Sequence, residues 1–277
     1  MKHRLGFTLV ELSIVLVIVA LIVGGIFVGV DMIRAAKIRA IVSQYEKYSA
    51  AVNTFRTKYN GLPGDLLYSD AAALGLYAET AAGSFGTAGN QDGNGMIEAG
   101  ASGSNLPSQG ETLIFWRHLS EANLIEGVYG TKGTCALNTS GNIGFVGTAA
   151  GVINCLPLVN INRNLFFTFF TTSGDHYYEL VPLTMLMANL AGFGSSGLTP
   201  VEANNIDIKL DDGLPNTGKA VARSITAMDT TASWTAASTA AKCMQGGASA
   251  TDTSDTYNLV PDTGGNTTSC SLRLRFK

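Results

Sequence analysis

The sequence predicts an α+β protein: one very long N-terminal helix, apolar then amphipathic, followed by a strand-bearing body with long loops. Three observations lead there. Residues 12–30 contain 19 consecutive positions without a charge. Beyond Asp31 the apolar residues recur at spacings of three and four, the helical period, until an Asn-Gly-x-Pro-Gly stop. Downstream, short alternating or continuous apolar runs separated by Gly, Ser, Thr and Asn read as strands.

The chain has 277 residues, 46% hydrophobic and 14% charged, enough for one core. It carries 18 basic and 21 acidic residues. That balance gives no basic surface for nucleic acid or anionic lipid, so nucleic acid is not an expected partner.

At about 1.5 Å per residue, an uncharged helix over 12–30 nearly spans the hydrocarbon core of a bilayer. The basic residues Lys2 and Arg4 precede it and should stay cytoplasmic while the body goes outward. A secretory signal fits poorly, because its cleavage site would follow the apolar stretch and need small residues there. Instead the segment runs into a second helical pattern formed by Ile38, Ile41, Val42, Tyr45, Tyr48, Val52, Phe55 and Tyr59. Arg34, Lys37, Arg39, Glu46, Lys47 and Arg56 lie between them. Asn60-Gly61-Leu62-Pro63-Gly64 ends the helix. The glycines at 24, 25 and 29 either soften the helix or permit close packing of neighbouring helices.

In the body, Ser108 and Glu111 predict a capping box for a helix that begins before Leu113 and ends near Gly127. Thr199, Pro200 and Glu202 open another helix, closed by Asp211-Asp212-Gly213. Strands are expected over 151–161, 165–171, 177–181 and 219–226, and the alternating segment 271–276 reads as a half-buried strand. Residues 78–89 and 236–255 read as long loops.

Glu11 is the anomaly at the head of the apolar run. A carboxylate in a membrane helix costs roughly 2.5–3.5 kcal/mol at the bilayer centre on insertion scales, so it calls for a reason. The segment Gly6-Phe7-Thr8-Leu9-Val10-Glu11 resembles the processing motif of type IV prepilins, shared with the pseudopilins of type II secretion. The resemblance is strongest over residues 1–60 and implies a pilin-like fold, with an antiparallel β-sheet body packed against the long helix. It implies a leader at 1–6 cut after Gly6, and N-methylation of the new terminal residue, Phe7, by the same prepilin peptidase. Loss of Lys2 and Arg4 with the leader would leave 16 basic against 21 acidic residues, a net charge of −5. Residues 7–30 would form the transmembrane and filament-core half of the helix, 31–60 its amphipathic half, and 61–277 the globular body.

By the same resemblance, Glu11 pairs with the N-terminal amine of a neighbouring subunit, which offsets the cost of each charge and sets axial register. The implied function is a structural subunit of a type IV pilus or related surface filament. The alternatives are a secretion pseudopilin, or a minor or tip pilin acting as an adhesin or DNA-uptake receptor. The implied partners are other copies of the chain, the peptidase, a membrane platform protein and an assembly ATPase. The precursor would sit in the bacterial inner membrane in a single pass, and the product in an extracellular or periplasmic filament.

Four cysteines, Cys135, Cys155, Cys243 and Cys270, form no C-x-x-C pair. An exported body favours two disulfides. Three pairings are possible, and the two sequence-local ones, Cys135–Cys155 and Cys243–Cys270, are favoured. No enzymatic motif is present: after leader removal only His118 and His176 remain, outside any metal or nucleophile pattern. A packing role is expected for His118.

No cofactor is required, with calcium as the one candidate. Asn90-Gln91-Asp92-Gly93-Asn94-Gly95-Met96-Ile97-Glu98 resembles the first nine positions of an EF-hand-type loop, with oxygen-bearing Asn90, Asp92 and Asn94 at alternate positions. Asn90 replaces the usual Asp and Ala101 the bidentate Glu, so Glu98, or a distant Asp65 or Asp70, would have to complete the shell. The competing reading is an ordinary Asn/Asp/Gly turn. A second acidic cluster, Asp207, Asp211 and Asp212, reads as a capped helix end.

Overall fold

In a computed structural model, the described residues are 8–78, 91–97, 110–130, 154–159, 165–172, 174–182, 197–224, 243–245, 256–260 and 270–276. Helix α1, Leu9–Tyr59, is unbroken over 51 residues, or about 77 Å at about 1.5 Å per residue. The glycines at 24, 25 and 29 do not interrupt it, and nothing lies within 4 Å of where their Cβ atoms would be. Its two halves differ as the charge pattern predicts. The apolar side chains from Leu9 to Ile33 are exposed, whereas Ile38, Ile41, Tyr45, Tyr48, Val52 and Phe55 are buried in the body. Asn60 ends the helix in the left-handed region at φ 53°, its N–H donating to Arg56 O. Asparagine tolerates that conformation because its short polar side chain crowds the backbone little.

A four-stranded antiparallel sheet receives the buried stripe. Its strands are β1 (Leu165–Thr172), β2 (Asp175–Pro182), β3 (Ala220–Ser224) and β6 (Cys270–Arg275), in the order β1-β2-β6-β3. One sheet face carries Tyr178, Leu180, Leu272, Leu274, Ala220 and Ala222, all buried. Tyr48 meets the rings of Trp116 and Phe167 edge-on at 5.1 and 5.2 Å, and Tyr45 meets Tyr178 at 5.9 Å. Such edge-to-face pairs add about 0.5–1.5 kcal/mol each to the area they bury. The α+β, pilin-like fold expected from sequence is therefore the one observed: a long N-terminal helix on an antiparallel sheet body.

Four local expectations need correction. Strand β6 is not half-buried: residues 270–274 are all buried, and the face opposite Leu272 and Leu274 carries a buried ion pair. In that pair Arg273 Nε lies 3.5 Å from Glu179 Oε1, directly across the ladder. The helix after residue 110, α3 (Glu111–Glu121), starts on Gly110 without a side-chain cap. Glu111 is thus at its first position rather than the third, and Ser108 lies outside the described residues. That helix ends at Glu121, six residues before Gly127. No strand forms over the described residues 154–159 of the expected 151–161 segment.

Three elements were not foreseen. Helix α2 (Tyr68–Ala73) is one short turn-and-a-half, too brief to show a period. The two-residue strands β4 (Met244–Gln245) and β5 (Thr256–Tyr257) pair inside and beside a segment expected to be loop. Helix α4 (Pro200–Leu210) begins with a complete Thr199–Glu202 capping box and Pro200 in its first turn, as expected.

Candidate functional site

The N-terminus of α1 is the first site the sequence singles out. Gly6 and Phe7 lie outside the described residues. Thr8 caps the helix: its Oγ1 accepts from the Glu11 N–H at 3.2 Å, while Glu11 Oε2 accepts from the Thr8 N–H at 2.8 Å and from its hydroxyl at 2.9 Å. This capping box explains locally why an acid stands at this position, since it satisfies an amide that the first helical turn leaves without a partner. Both bonds accepted by the carboxylate fall on Oε2. Glu11 is exposed, and the apolar side chains that follow it are exposed as well. The helix is long and apolar enough to cross a membrane, and none of its most apolar 18-residue window is buried against the body.

The second site lies where the chain leaves α1. Gly64 adopts φ +90° against the start of α3, where a Cβ would stand 2.5 Å from Glu111 O. The next residue, Asp65, is only 3% exposed, and its Oδ2 accepts from the Gly95 N–H at 2.9 Å. The 91–97 loop is laid along this segment by backbone bonds from Gly93 N–H to Asp65 O and from Tyr68 N–H to Gln91 O, both 3.0 Å. Gln91, left-handed at φ 46° and buried, donates from its amide to Leu66 O and Tyr77 O, and Ile97 anchors the other end in the core.

These contacts bring carboxylate oxygens of Asp65, Asp92 and Glu111 within 4.8 Å of one another. Of the residues suggested from sequence for a calcium shell, Asp92 and the distant Asp65 are in this group, and Asp70 is not. Asn94 is committed to the turn, its Nδ2 donating to Asp92 Oδ2 and its Oδ1 accepting from the Met96 N–H. Asn90 and Glu98 lie outside the described residues. Glu111, read from sequence as a helix cap, sits in the first turn of α3 and is buried. Its part in the cluster has no local sequence signal, because it is 46 positions from Asp65. Burial pushes the Asp65 carboxyl up to about 7, opposed by the amides of Gly95, Asn94 and Gly93 and aided by the charge of Asp92.

Beside this cluster His118 is fully buried, as the packing reading expects. Its Nδ1 accepts from the Gly64 N–H at 3.1 Å and its Nε2 faces Tyr77 O at 2.7 Å, which assigns the proton to Nε2. The ring stacks on Phe55, with centroids 5.8 Å apart. It is a structural staple between the α1 exit and residue 77.

The Asp207, Asp211 and Asp212 cluster is the capped helix end expected. Asp207 accepts from the Tyr257 hydroxyl at 2.7 Å and the Gly213 N–H, Asp212 from Leu214 N–H and Thr217, and Asp211 from Lys219 N–H. Cys243 and Cys270 form the expected disulfide, 27 residues apart. Cys155 is also disulfide-bonded and buried, and Cys135, the partner expected for it, lies outside the described residues.

No curated protein and no solved structure matches the chain. Residues 1–27 match the prokaryotic N-terminal methylation motif. That motif is the type IV prepilin/pseudopilin signature, and here it heads a long apolar helix followed by an antiparallel sheet body, an arrangement consistent with a pilin-like fold.

Proposed function

We propose that the chain is a structural subunit of a type IV pilus or related surface filament, cleaved after Gly6, N-methylated at Phe7 and polymerised through α1. The observation that carries this reading is the divided character of α1. Residues 38–55 are held by the body, while Leu9 to Ile33 project with their apolar side chains uncovered. A surface of that kind is stable only in lipid or against other apolar helices, since each large aliphatic side chain left in water forgoes about 1.5–3 kcal/mol. Inner-membrane residence meets the need before assembly, and neighbouring copies of the same helix meet it in a filament core. The open space around Gly24, Gly25 and Gly29 suits close helix approach there.

In this reading the Glu11 carboxylate meets the methylated amine of Phe7 on another subunit. A prepilin peptidase, a membrane platform protein and a cytoplasmic assembly ATPase complete the pathway. The signature belongs to structural proteins, and no catalytic role is assigned to the chain.

The test is purification of surface filaments with mass-spectrometric identification of their subunits. The expected result is this chain as the main component, beginning at methylated Phe7, with Glu11→Ala processed normally but yielding few filaments. A chain absent from surface filaments and confined to the periplasm would support the secretion pseudopilus instead. A mature N-terminus beyond Val30 would overturn both.

A further inference from the structure

We propose that Asp65, Asp92 and Glu111 form a calcium site that clamps the exit of α1 to the first turn of α3. The three carboxylates come from segments far apart in sequence, yet their ligand atoms lie within 4.8 Å of one another. Two oxygens on one calcium ion, each at about 2.3–2.6 Å, stand at most about 5 Å apart, so this group fits a single coordination shell.

Asp65 supplies the independent sign that a ligand is expected. The residue is 3% exposed, Oδ2 is held by the Gly95 N–H, and Oδ1 is buried with no hydrogen-bond partner. A buried carboxylate oxygen left without a partner is costly, and a hard cation is the partner that removes the cost and neutralises the neighbouring like charges.

The other two groups are held in place for the same task. Asp92 is fixed by an Asx turn, its two oxygens accepting from the Asn94 N–H and Nδ2. Glu111 is 1% exposed at the first position of α3. An open cleft of about 700 Å³ reaches Asp65 and Asp92 from solvent and admits the waters that complete a calcium shell. Arg56 also lines that cleft, but among the described residues it forms no ion pair with Asp65 or Asp92. An all-oxygen set with three carboxylates suits calcium. Magnesium more often keeps several waters and takes only one or two carboxylates.

The site is independent of the filament reading and is tested on the full mature chain in detergent, stripped with EDTA. Equilibrium dialysis against radioactive calcium should find one saturable ion per chain, and calcium should raise the Tm where magnesium at equal concentration does not. Asp92→Asn should weaken binding by at least about tenfold with the Tm in EDTA unchanged, since Asp92 is exposed. Asp65→Asn should abolish the calcium response without lowering the Tm in EDTA, because asparagine keeps the acceptor for Gly95 and lifts the buried charge. Asp212→Asn should bind as the parent does. The proposal is overturned by the absence of saturable binding at millimolar calcium, by undiminished binding in both Asp65→Asn and Asp92→Asn, or by an equal response to magnesium.

Discussion

His118 gives the sharpest quantitative prediction. Its burial between Phe55, Gly64 and Tyr77 holds the imidazole down to about 4, against 6.5 for an ordinary histidine. The unfolded chain therefore binds a proton more readily than the folded one across this window. The stabilisation is fully present above about pH 6.5 and is lost as the pH falls towards about 4. At about 1.36 kcal/mol per unit, the neutral staple loses roughly 2.5 kcal/mol by about pH 4.5.

Other groups titrate in the same range with the opposite sign. Burial raises Asp65 to about 7 and Asp207 to about 6, so their contributions grow on acidification. A wild-type pH profile alone would mix these effects, and the comparison must be with His118→Gln. Glutamine keeps a donor for Tyr77 O but leaves the buried Gly64 N–H without an acceptor, a cost of about 1–3 kcal/mol near neutrality. The assay is urea unfolding of the EDTA-treated chain in detergent, followed by tryptophan fluorescence, at about pH 7.5 and about pH 4.5. The advantage of wild type over His118→Gln should shrink by about 2–3 kcal/mol between the two. A difference that stays constant would refute the assignment of a neutral, buried His118.

Two further perturbations probe the packing around the sites. Arg273→Met strands Glu179 in the sheet interior, since the two are nearly inaccessible and paired across β2 and β6. It should cost about 3–5 kcal/mol in urea unfolding, and Arg273→Met combined with Glu179→Leu should recover most of that loss. Gly64→Ala places a methyl 2.5 Å from Glu111 O in a left-handed backbone. It should lower stability by at least about 2 kcal/mol and weaken calcium binding in parallel, because it pushes α3 away from Asp65.

The sequence by itself determined the long helix and its division, the processing motif and the outline of the sheet. Those features are written locally. A 19-residue uncharged run, a three-and-four spacing from Ile38 to Tyr59, and an acid four residues after the aromatic Phe7 are each legible within a few turns of chain. The Thr199–Glu202 box and the strands at 165–172 and 270–275 were legible for the same reason, although the burial of β6 on both faces was not. A strand's alternation reports one covered face, and only the buried pairing of Glu179 with Arg273 revealed the other.

The acidic cluster belongs to the tertiary structure in a stronger sense. Asp92 stood out because it lies in an oxygen-rich loop, and Asp65 was one of two distant acids that could complete its shell, but nothing in the sequence chose Asp65 over Asp70 or pointed to Glu111. Gly64, free to take φ +90° without a side chain, lets the exit of α1 press against the first turn of α3. The backbone bonds between residues 65–68 and 91–93 then lay the loop across both. Burial and proximity are properties of that arrangement rather than of any residue in it. Only the folded chain could decide that three scattered acids share one site.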